Sequence, residues 1–483
     1  MPTLELSLPH DSLTALLRLP FLVRSGPAIP TDTVWRDTST AALASRGEAL
    51  CESQGHWRLE RLHPGPATWP AMTPAPVLAH GDSPEACGIE EPAGLGTSAG
   101  FRGQRRAFAV TGLDGADPAS ESVALTVTDG QVHGVSATRP VCRIRLDGDA
   151  SELRGVALHL AASLPVAVPR AGLAAEALAA ARGQVPPPRH LGAPMLQPDL
   201  PLSDSIATII GQLLDVMLHW SGPAAAGKTP VPVHQMRVAT RRLRSALSIF
   251  KRVAACPEVE PLSAALRDTA AQLGAARDWD VFLEGTGERI HKSFPGDPSV
   301  RAVLSAARRQ RALAYVALRA HLSSTAFREL QVALGCAAAL RPWEAVGDSV
   351  LHHNTAPFAS AVLSHRLRKV RRAGRGLHDL PVEALHELRK DCKRLRYAAE
   401  FFQPLFPHKA ARRFVQALSV LQEELGMLND GAVASGLMAH LGRPSRSYAA
   451  GLVVGFANAG VTDRRVSIAA AWKKFKRQEP FWD

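Results

Sequence analysis

The chain has 483 residues, of which 46% are hydrophobic and 5% are aromatic, together with 37 glycines and 36 prolines. This length is enough for about two to four domains, and the hydrophobic fraction excludes a wholly disordered chain. The formal charge of +12, from 56 Lys and Arg against 44 Asp and Glu, predicts a polyanionic partner or surface.

Cysteine usage and the opening segment indicate the compartment. The six cysteines are widely spaced and none belongs to a C-x-x-C pair, which argues against a zinc ribbon or a disulfide scaffold and favours free thiols in a reducing compartment. The opening MPTLELSLPHD lacks the apolar core of a secretory signal, and no run of about 18 uncharged apolar residues indicates a membrane span. We therefore expect a cytoplasmic protein with no membrane partner.

The charge divides the chain into two parts. Residues 1–190 hold 16 Arg, no Lys and 19 acidic residues, for a net charge of −3. Residues 191–483 hold 40 basic and 25 acidic residues, for a net charge of +15. The boundary falls in a proline-rich stretch that cannot continue a helix, and we predict a linker at 186–201.

Residues 1–185 are predicted to form a β-rich domain. Alternating apolar and polar residues predict strands, and two further segments have a helical period. The strand segments are Thr3–Leu8, His56–Leu62, Ser122–Val127 and Val141–Leu146, and the helical segments are Ser151–Leu164 and Gly172–Arg182. Residues 62–100 are so rich in Pro and Gly that we predict a long insertion loop there rather than a packed element.

Residues 202–483 are predicted to form an all-helical domain, which makes the fold class α+β with two domains. Segments with a helical period follow one another with short breaks. They are 203–220, 233–252, 259–283, 298–320, 324–340, 357–375, 383–404 and 409–428.

Two parts of the helical half align without a gap at an offset of 152 residues. His234–Phe250 aligns with His386–Phe402, and seven of the 17 pairs are identical. The same offset aligns Leu273–Asp278 with Leu425–Asp430, so one register holds across about 45 residues. This duplication predicts two copies of a helical unit that pack with pseudo-two-fold symmetry.

Each copy places its cations along one side of a helix. At 100° per residue, four cationic side chains of the first copy fall within an arc of about 80°, opposite apolar residues that a bundle would bury. The row of the first copy is His234, Arg237, Arg241 and Arg244, and that of the second is His386, Arg389, Lys393 and Arg396. A third helix repeats the pattern with His365, Arg368, Lys369, Arg372 and Arg375.

These rows contain no carboxylate, whereas an ordinary solvated face mixes charges of both signs. Like charges at i,i+4 repel by some tenths of a kcal/mol each, so bound anions are the natural compensation. A merely solvated face is the alternative. A metal site is disfavoured, because no second His, Cys or carboxylate lies three or four residues after the histidine of a row. We expect these histidines to donate hydrogen bonds to phosphate instead.

The pattern H-x-x-R-x-x-x-[RK]-R-L-R, followed by L-G-x-x-[RN]-D and present twice, resembles the CHAD domain, the conserved histidine α-helical domain. The resemblance covers about residues 200–483. It implies two pseudo-symmetric four-helix bundles around a basic central cavity that holds inorganic polyphosphate, with no catalytic residue set. It extends the binding role to further cations in and beside the motif, namely Arg242, Lys251, Arg252, Lys390 and Arg394.

CHAD domains often follow a CYTH domain, a β-barrel of the triphosphate tunnel family, and the N-terminal domain resembles that family in part. Of the family's opening E-x-E-x-K strand, only Glu5 matches in Thr3–Ser7. Pro140–Leu146 corresponds to a P-x-x-E-x-E-L strand, with Arg143 and Arg145 in place of metal-binding glutamates. A divalent metal that bridges phosphates needs several oxygen ligands. The resemblance therefore implies a degenerate tunnel-like domain without a catalytic metal site.

We thus predict a non-catalytic protein that binds inorganic polyphosphate and needs no cofactor or metal, with recruitment to polyphosphate or other storage granules as one use of that binding. Two other classes remain open. A triphosphatase or polyphosphatase would use the surviving carboxylates Glu5, Asp37 and Asp147. A nucleic-acid-binding protein is less favoured, because Tyr397 is the only aromatic residue beside the rows and offers no base-stacking platform.

Overall fold

A curled antiparallel sheet is followed along the chain by an all-helical region, which confirms the predicted α+β two-domain class. These features come from a computed structural model. It describes residues 1–64, 69–111, 123–134, 137–427, 430–458 and 461–482.

The sheet forms an open half-barrel that fits a tunnel-like domain. Within the described residues its strands are β1 (Thr3–Ser7), β2 (Leu22–Arg24), β3 (Ile29–Thr38), β4 (Glu48–Ser53), β5 (His56–Arg61), β6 (Val77–Gly81), β7 (Leu95–Val110), β8 (Val123–His133) and β9 (Thr138–Gly148). Neighbouring strands are antiparallel in the order β1-β9-β8-β7-β3-β4-β5-β6, and β2 also pairs with β7. The predicted strands are therefore confirmed as β1, β5, β8 and β9, except that Ser122 lies outside the described residues.

The two faces of the sheet have different partners. The helices of this region are α1 (Leu13–Leu16), α2 (Ala42–Ser45), α3 (Ala150–Ser163) and α4 (Leu173–Ala181), and the last two confirm the predicted helices. Because side chains alternate along a strand, Leu4 and Leu6 point to one face, where they are fully buried in the core that includes α3. Glu5 points to the other face, which α4 covers by packing against β7, β8 and β9.

The eight predicted helices of the second half are confirmed, and most of their ends agree with the prediction to within a few residues. The helices described in this half are α5 (Leu202–Ala226), α6 (Val231–Phe250), α7 (Val259–Phe282), α8 (Glu288–Ser293), α9 (Pro298–Leu322), α10 (Thr325–Leu340), α11 (Thr355–Ala373), α12 (Val382–Phe402), α13 (His408–Met427), α14 (Asp430–Ala439), α15 (Tyr448–Asn458) and α16 (Val461–Lys476), of which α8, α14, α15 and α16 are not among the predicted segments. Throughout the part of the chain that the structure describes, no helix is both long and apolar enough to cross a membrane.

The helices form two groups that correspond to the two copies of the repeat. In the first group α6 packs between α5 and α7, and α10 packs on α5 and α7. In the second group α12 packs between α11 and α13, and α16 packs on α13. The groups meet where α6 contacts α12, and the equivalent residues Phe250 and Phe402 lie there with ring centroids 6.2 Å apart. The cation-bearing helices of both copies are therefore neighbours at the centre of the helical region.

The prediction of an unpacked insertion at 62–100 is wrong for its described part. This segment contains β6 and the start of β7, and Met72 within it is fully buried. The Met72 side chain lies against α10, where a Cβ on Gly335 would come within 2.2 Å of its Sδ. Glycine at 335 therefore makes room for Met72. The many prolines and glycines separate short packed elements instead of forming one long loop.

The two halves of the chain share one hydrophobic core, in which α3 packs against α10. The segment 186–201, predicted as a linker, contains no helix or strand, yet its Arg189 is buried. The Arg189 guanidinium lies 3.4 Å from the Asp215 carboxylate of α5 and 4.4 Å from the ring centroid of Trp69. Burial raises the pKa of Asp215 to about 7, although Arg189 opposes that rise. Each half therefore provides packing surface for the other.

Candidate anion-binding site

The site begins with the amphipathic pattern of α6. Met236, Leu243 and Ala246 are fully buried on one side of this helix, which fixes the rotation of the opposite side. On that opposite side Arg237 and Arg241 are partly exposed. The helix therefore holds its cation row against the surface of the second copy, which α6 contacts through α12.

A glycine in each copy lies beside the first arginine of the row. A Cβ on Gly274 of α7 would lie 3.1 Å from Nη1 of Arg237, and a Cβ on Gly426 of α13 would lie 3.5 Å from Nη2 of Arg389. These four residues are related in pairs by the offset of 152. The L-G motif that follows each row therefore forms part of the wall of the site, next to the guanidinium of the row's first arginine.

A carboxylate holds the arginine of the first copy in place. Nη1 of Arg237 lies 3.4 Å from Oδ1 of Asp278, one helical turn beyond Gly274. Burial raises the pKa of Asp278, while Arg237 and Arg277 lower it. In the second copy, Asn429 and the side chain of Asp430 lie outside what the structure describes.

The cations of both copies come together between α6 and α12. Burial, followed in order by Arg389, Arg241, Arg237 and Arg396, lowers the pKa of Lys393 to about 8. Two of these neighbours belong to α6 and two to α12. We call Arg237, Arg241, Arg389, Lys393 and Arg396 the inter-repeat cluster.

Two further basic residues, His234 and Arg277, lie beside the inter-repeat cluster. Burial and then Arg277, Arg241 and Arg237 lower the pKa of His234 at the head of the first row. The sequence placed Arg277 in the L-G-x-x-[RN]-D motif without giving it a role in binding. The structure adds Arg277 to the candidate site.

Tyr397 lies between two guanidiniums of the inter-repeat cluster. Its ring centroid is 5.1 Å from Cζ of Arg241 and 5.4 Å from Cζ of Arg396. The hydroxyl of Tyr397 and Nε of Arg241 are buried and have no hydrogen-bond partner among the described residues, and a carboxylate oxygen of Glu400 lies 3.5 Å from Nε of Arg396. Two guanidinium groups gathered around one ring favour an anionic ligand such as a phosphate oxyanion.

The prediction that no carboxylate neutralises the rows is wrong in part. Glu400 bridges the two copies, with Oε2 at 2.8 Å from Nη2 of Arg242 and Oε1 at 3.5 Å from Nε of Arg396. Asp391 lies within 3.1 Å of both Lys369 and Arg394. Asp391 leaves α12 on a different side from the cation row, whereas Glu400 lies on the same side, one turn beyond Arg396 at the end of the row.

The remaining predicted residues lie at more exposed positions. Lys390 pairs with Glu387 at 2.8 Å. The row on α11 is exposed, and within the described residues no ion pair or hydrogen bond joins it to the inter-repeat cluster. The exposed side chains are His365, Arg368, Lys369, Arg372 and Arg375, together with Arg244, Lys251, Arg252 and His386.

In the N-terminal half, the carboxylates that a phosphatase would need have other partners. Glu5 lies 3.5 Å from Arg143, whose Nη2 also lies 2.7 Å from Glu176 of α4. Asp37 accepts hydrogen bonds from backbone N–H groups at the start of α2. Asp147 pairs with Arg145 at 2.9 Å. Among the described residues, no group of three or more His, Cys, Asp or Glu side chains could hold a metal ion.

Comparison with known proteins supports the family resemblance of the helical region. The CHAD domain family model matches residues 208–439. The helical region contains a CHAD domain. The crystal structure of the CHAD domain from the plant Ricinus communis superimposes with a TM-score of 0.53 at 29% identity, covering 61% of this chain and 98% of that one.

The curated relatives have no described activity. Two proteins named as uncharacterized, from strains CDC 1551 and H37Rv of Mycobacterium tuberculosis, are each 29% identical to this chain over 243 residues. The match covers 48% of this chain and 45% of each relative, so the chain spans less than half the length of these proteins.

Proposed function

We propose that this protein binds inorganic polyphosphate between the two copies of its CHAD repeat and does not hydrolyse it. The CHAD family is generally linked to polyphosphate binding. The observation that carries the proposal is the inter-repeat cluster, in which arginines of both α6 and α12 lie close enough to Lys393 to add to the effect of burial and lower its pKa. A polyphosphate supplies closely spaced oxyanions, and arginines pair with such groups through charge-assisted hydrogen bonds.

The site accounts for affinity by many moderate contacts. Each phosphate that pairs with a cation releases condensed counterions, so binding weakens steeply as salt rises. Before a ligand binds, Asp278 pairs with Arg237 and Glu400 pairs with Arg242. Each carboxylate contacts only part of its guanidinium, so other N–H groups of these arginines can donate to phosphate. The protein thus offers an arranged set of donors before the polyanion arrives.

The test is a titration of the full-length chain with polyphosphate, because the two halves share one core. Arg237→Glu combined with Arg241→Glu should weaken binding at least tenfold, about 1.4 kcal/mol or more, since it reverses the charge of one copy's share of the cluster. The matched control is Arg308→Glu with Arg309→Glu, the same charge change on exposed positions of α9. Equal affinity of the folded cluster variant and the control would contradict a site shared by both copies.

Competition with nucleic acid tests the choice of polyanion. The cation rows are carried by helices whose other sides are buried, so the cluster lies between two helix groups rather than on a convex surface. A flexible phosphate chain fits such a place better than a rigid duplex. We expect polyphosphate to resist displacement by duplex DNA at equal phosphate equivalents and near-physiological salt. Displacement would favour the nucleic-acid alternative.

The non-catalytic part of the proposal rests on the N-terminal half. Arg143 occupies a position where the triphosphate tunnel family has a metal-binding glutamate, and it pairs with Glu5 and Glu176. A guanidinium there repels a divalent cation and occupies its candidate ligands. We expect no phosphate release from tripolyphosphate or ATP with Mg²⁺ or Mn²⁺. Metal-dependent turnover that Glu5→Ala abolishes would support an enzyme instead.

A further inference from the structure

A pocket of about 300 Å³ lies in the N-terminal half of the chain. Its walls come from α2, from α4 and from the residues that follow α4, and no residue of the inter-repeat cluster lines it. Small-molecule sites in proteins commonly measure about 300–1,000 Å³, so the pocket is large enough for a small organic ligand. It is therefore a separate candidate site.

One side of α4 forms the floor of the pocket. Three apolar residues of this helix line it, namely Ala175, Leu178 and Ala179, and all three are buried. Arg182, directly after the helix, continues the spacing i, i+3, i+4 and i+7 that places side chains on one side of a helix. The floor is therefore apolar and ends at Arg182.

The chain turns back over the end of α4 at Gly183. This glycine has a φ of 65°, in the left-handed region that glycine adopts at little cost, and Gln184 donates its backbone N–H to the carbonyl of Ala179. Gln184, Val185 and Pro187 then form a second wall. Val185 is 75% exposed, so a bound apolar group would remove a large apolar side chain from water.

A third wall comes from α2, which is short but firmly held. The buried carboxylate of Asp37 accepts hydrogen bonds from the backbone N–H groups of Leu43 and Ala44 in this helix. Ala44 and Ser45 line the pocket. Because Asp37 fixes this wall through backbone contacts, a ligand does not have to order it on binding.

The polar groups of the pocket favour an anion. Among the residues that the structure describes, no carboxylate lines the pocket and none lies within 4.0 Å of the Arg182 guanidinium. His63 also lines the pocket, and burial and then Arg189 lower the pKa of this histidine, so near pH 7 it is neutral and can donate one hydrogen bond. An unpaired guanidinium beside an apolar floor suits a ligand with one planar anionic group and an apolar body.

The apolar part of the lining indicates an aliphatic rather than an aromatic ligand. It consists of alanine, leucine, valine and proline side chains, and within the described part of the chain the imidazole of His63 is the only aromatic ring that lines the pocket. Aromatic ligands gain affinity from ring contacts that this lining does not provide. An aliphatic chain needs only apolar area, which Leu62, Leu178 and Val185 supply.

We propose that this pocket binds a small aliphatic carboxylate, with the anionic group paired to Arg182 and the chain against Leu62 and Leu178. The inference is independent of the proposed function, because it uses none of the residues assigned to polyphosphate. A carboxylate accepts two parallel hydrogen bonds from a guanidinium, which an amine of equal chain length cannot do. A phosphate chain can also pair with a guanidinium, but it has no apolar part with which to cover the floor.

The test is titration calorimetry of the full-length chain with octanoate, below the concentration at which octanoate forms micelles. Octylamine, with a chain of the same length and the opposite charge, is the matched ligand. We expect octanoate to bind at one site and octylamine to bind at least about tenfold more weakly. Arg182→Gln should weaken octanoate binding at least about tenfold, whereas Arg18→Gln, at another exposed position of the N-terminal half, should leave it unchanged.

A second pair of variants tests the apolar contact. Val185→Ser should weaken octanoate binding about threefold, because it removes apolar area from one wall of the pocket. Val23→Ser is the matched control, since Val23 is another exposed valine of the N-terminal half and does not line the pocket. Both valines are exposed, so neither substitution removes a buried contact of the core.

Several results would overturn the inference. They are absent binding of octanoate, equally tight binding of octylamine, and equal octanoate affinity within either pair of variants. Displacement of octanoate by an equal concentration of tripolyphosphate would also overturn it, because the pocket would then be a phosphate site. The proposed function is judged separately, by whether the full-length chain binds polyphosphate, and Arg182→Gln should leave that affinity unchanged.

Discussion

The lowered pKa of Lys393 predicts that the proposed binding of polyphosphate depends on pH. In the free protein, burial and four arginines lower this pKa from 10.5 to about 8. A bound polyanion reverses the balance, because it stabilises the ammonium form and raises the pKa again. Binding therefore takes up a proton above about pH 8, and the affinity should fall as the pH rises through that value.

The size of the effect follows from the same shift. If the bound polyanion returns the pKa to its ordinary value, affinity falls by about tenfold between pH 7 and pH 9. Lys393 is only partly buried, and water screens part of the interaction, so we expect a fall of about threefold to tenfold. The pKa of His234 is lowered from 6.5, so its titration lies below this window.

Titration calorimetry at constant ionic strength measures the effect, with long-chain polyphosphate as the ligand so that terminal phosphates contribute little. The matched variant is Lys393→Arg, which keeps the cation but does not titrate in this range. Wild-type affinity should fall with pH while that of Lys393→Arg stays nearly level. Equal pH dependence in both proteins would refute the assignment of the lowered pKa to Lys393.

Two further predictions concern stability. Arg143→Leu should destabilise the protein by about 3–5 kcal/mol in denaturant unfolding, because it leaves the carboxylates of Glu5 and Glu176 without their buried partner, and an unchanged midpoint would contradict that pairing. Gly335→Ala should cost about 1–3 kcal/mol, because the new Cβ would lie 2.2 Å from Sδ of Met72. The same substitution should cost less in a Met72→Ala background, and a stabilising effect of Gly335→Ala in the wild-type chain would contradict the steric conflict.

The helices and the repeat could be predicted because their information is local or periodic. The apolar side of α6 recurs every three or four residues, and the offset of 152 shows the second copy without any knowledge of packing. The duplication predicts two copies that pack with pseudo-two-fold symmetry. In the structure the equivalent helices α6 and α12 are in contact, and the equivalent residues Phe250 and Phe402 lie there with ring centroids 6.2 Å apart.

Other features depend on contacts between residues far apart in sequence. The ion pair between Glu400 and Arg242 joins residues 158 apart, and neither residue belongs to a predicted cation row. The packing of segment 62–100 cannot be predicted from its composition, because proline and glycine mark the ends of short elements as well as loops. In each case the local composition is compatible with two structures, and only packing decides between them.

The duplication explains how so many cations can lie together in a folded chain. Leu243 and Leu395 are fully buried behind the two rows, so each helix is fixed by its own apolar core. Burial is the largest cause of the lowered pKa of Lys393. Repulsion lowers it further, from Arg389 and Arg396 of the same helix and from Arg241 and Arg237 of the other copy. A single copy would keep its own cation row but would lack the opposing row, so we expect it to bind anions more weakly. The site is therefore a property of the pair, and we expect phosphate oxyanions that enter between α6 and α12 to relieve the repulsion between the two rows.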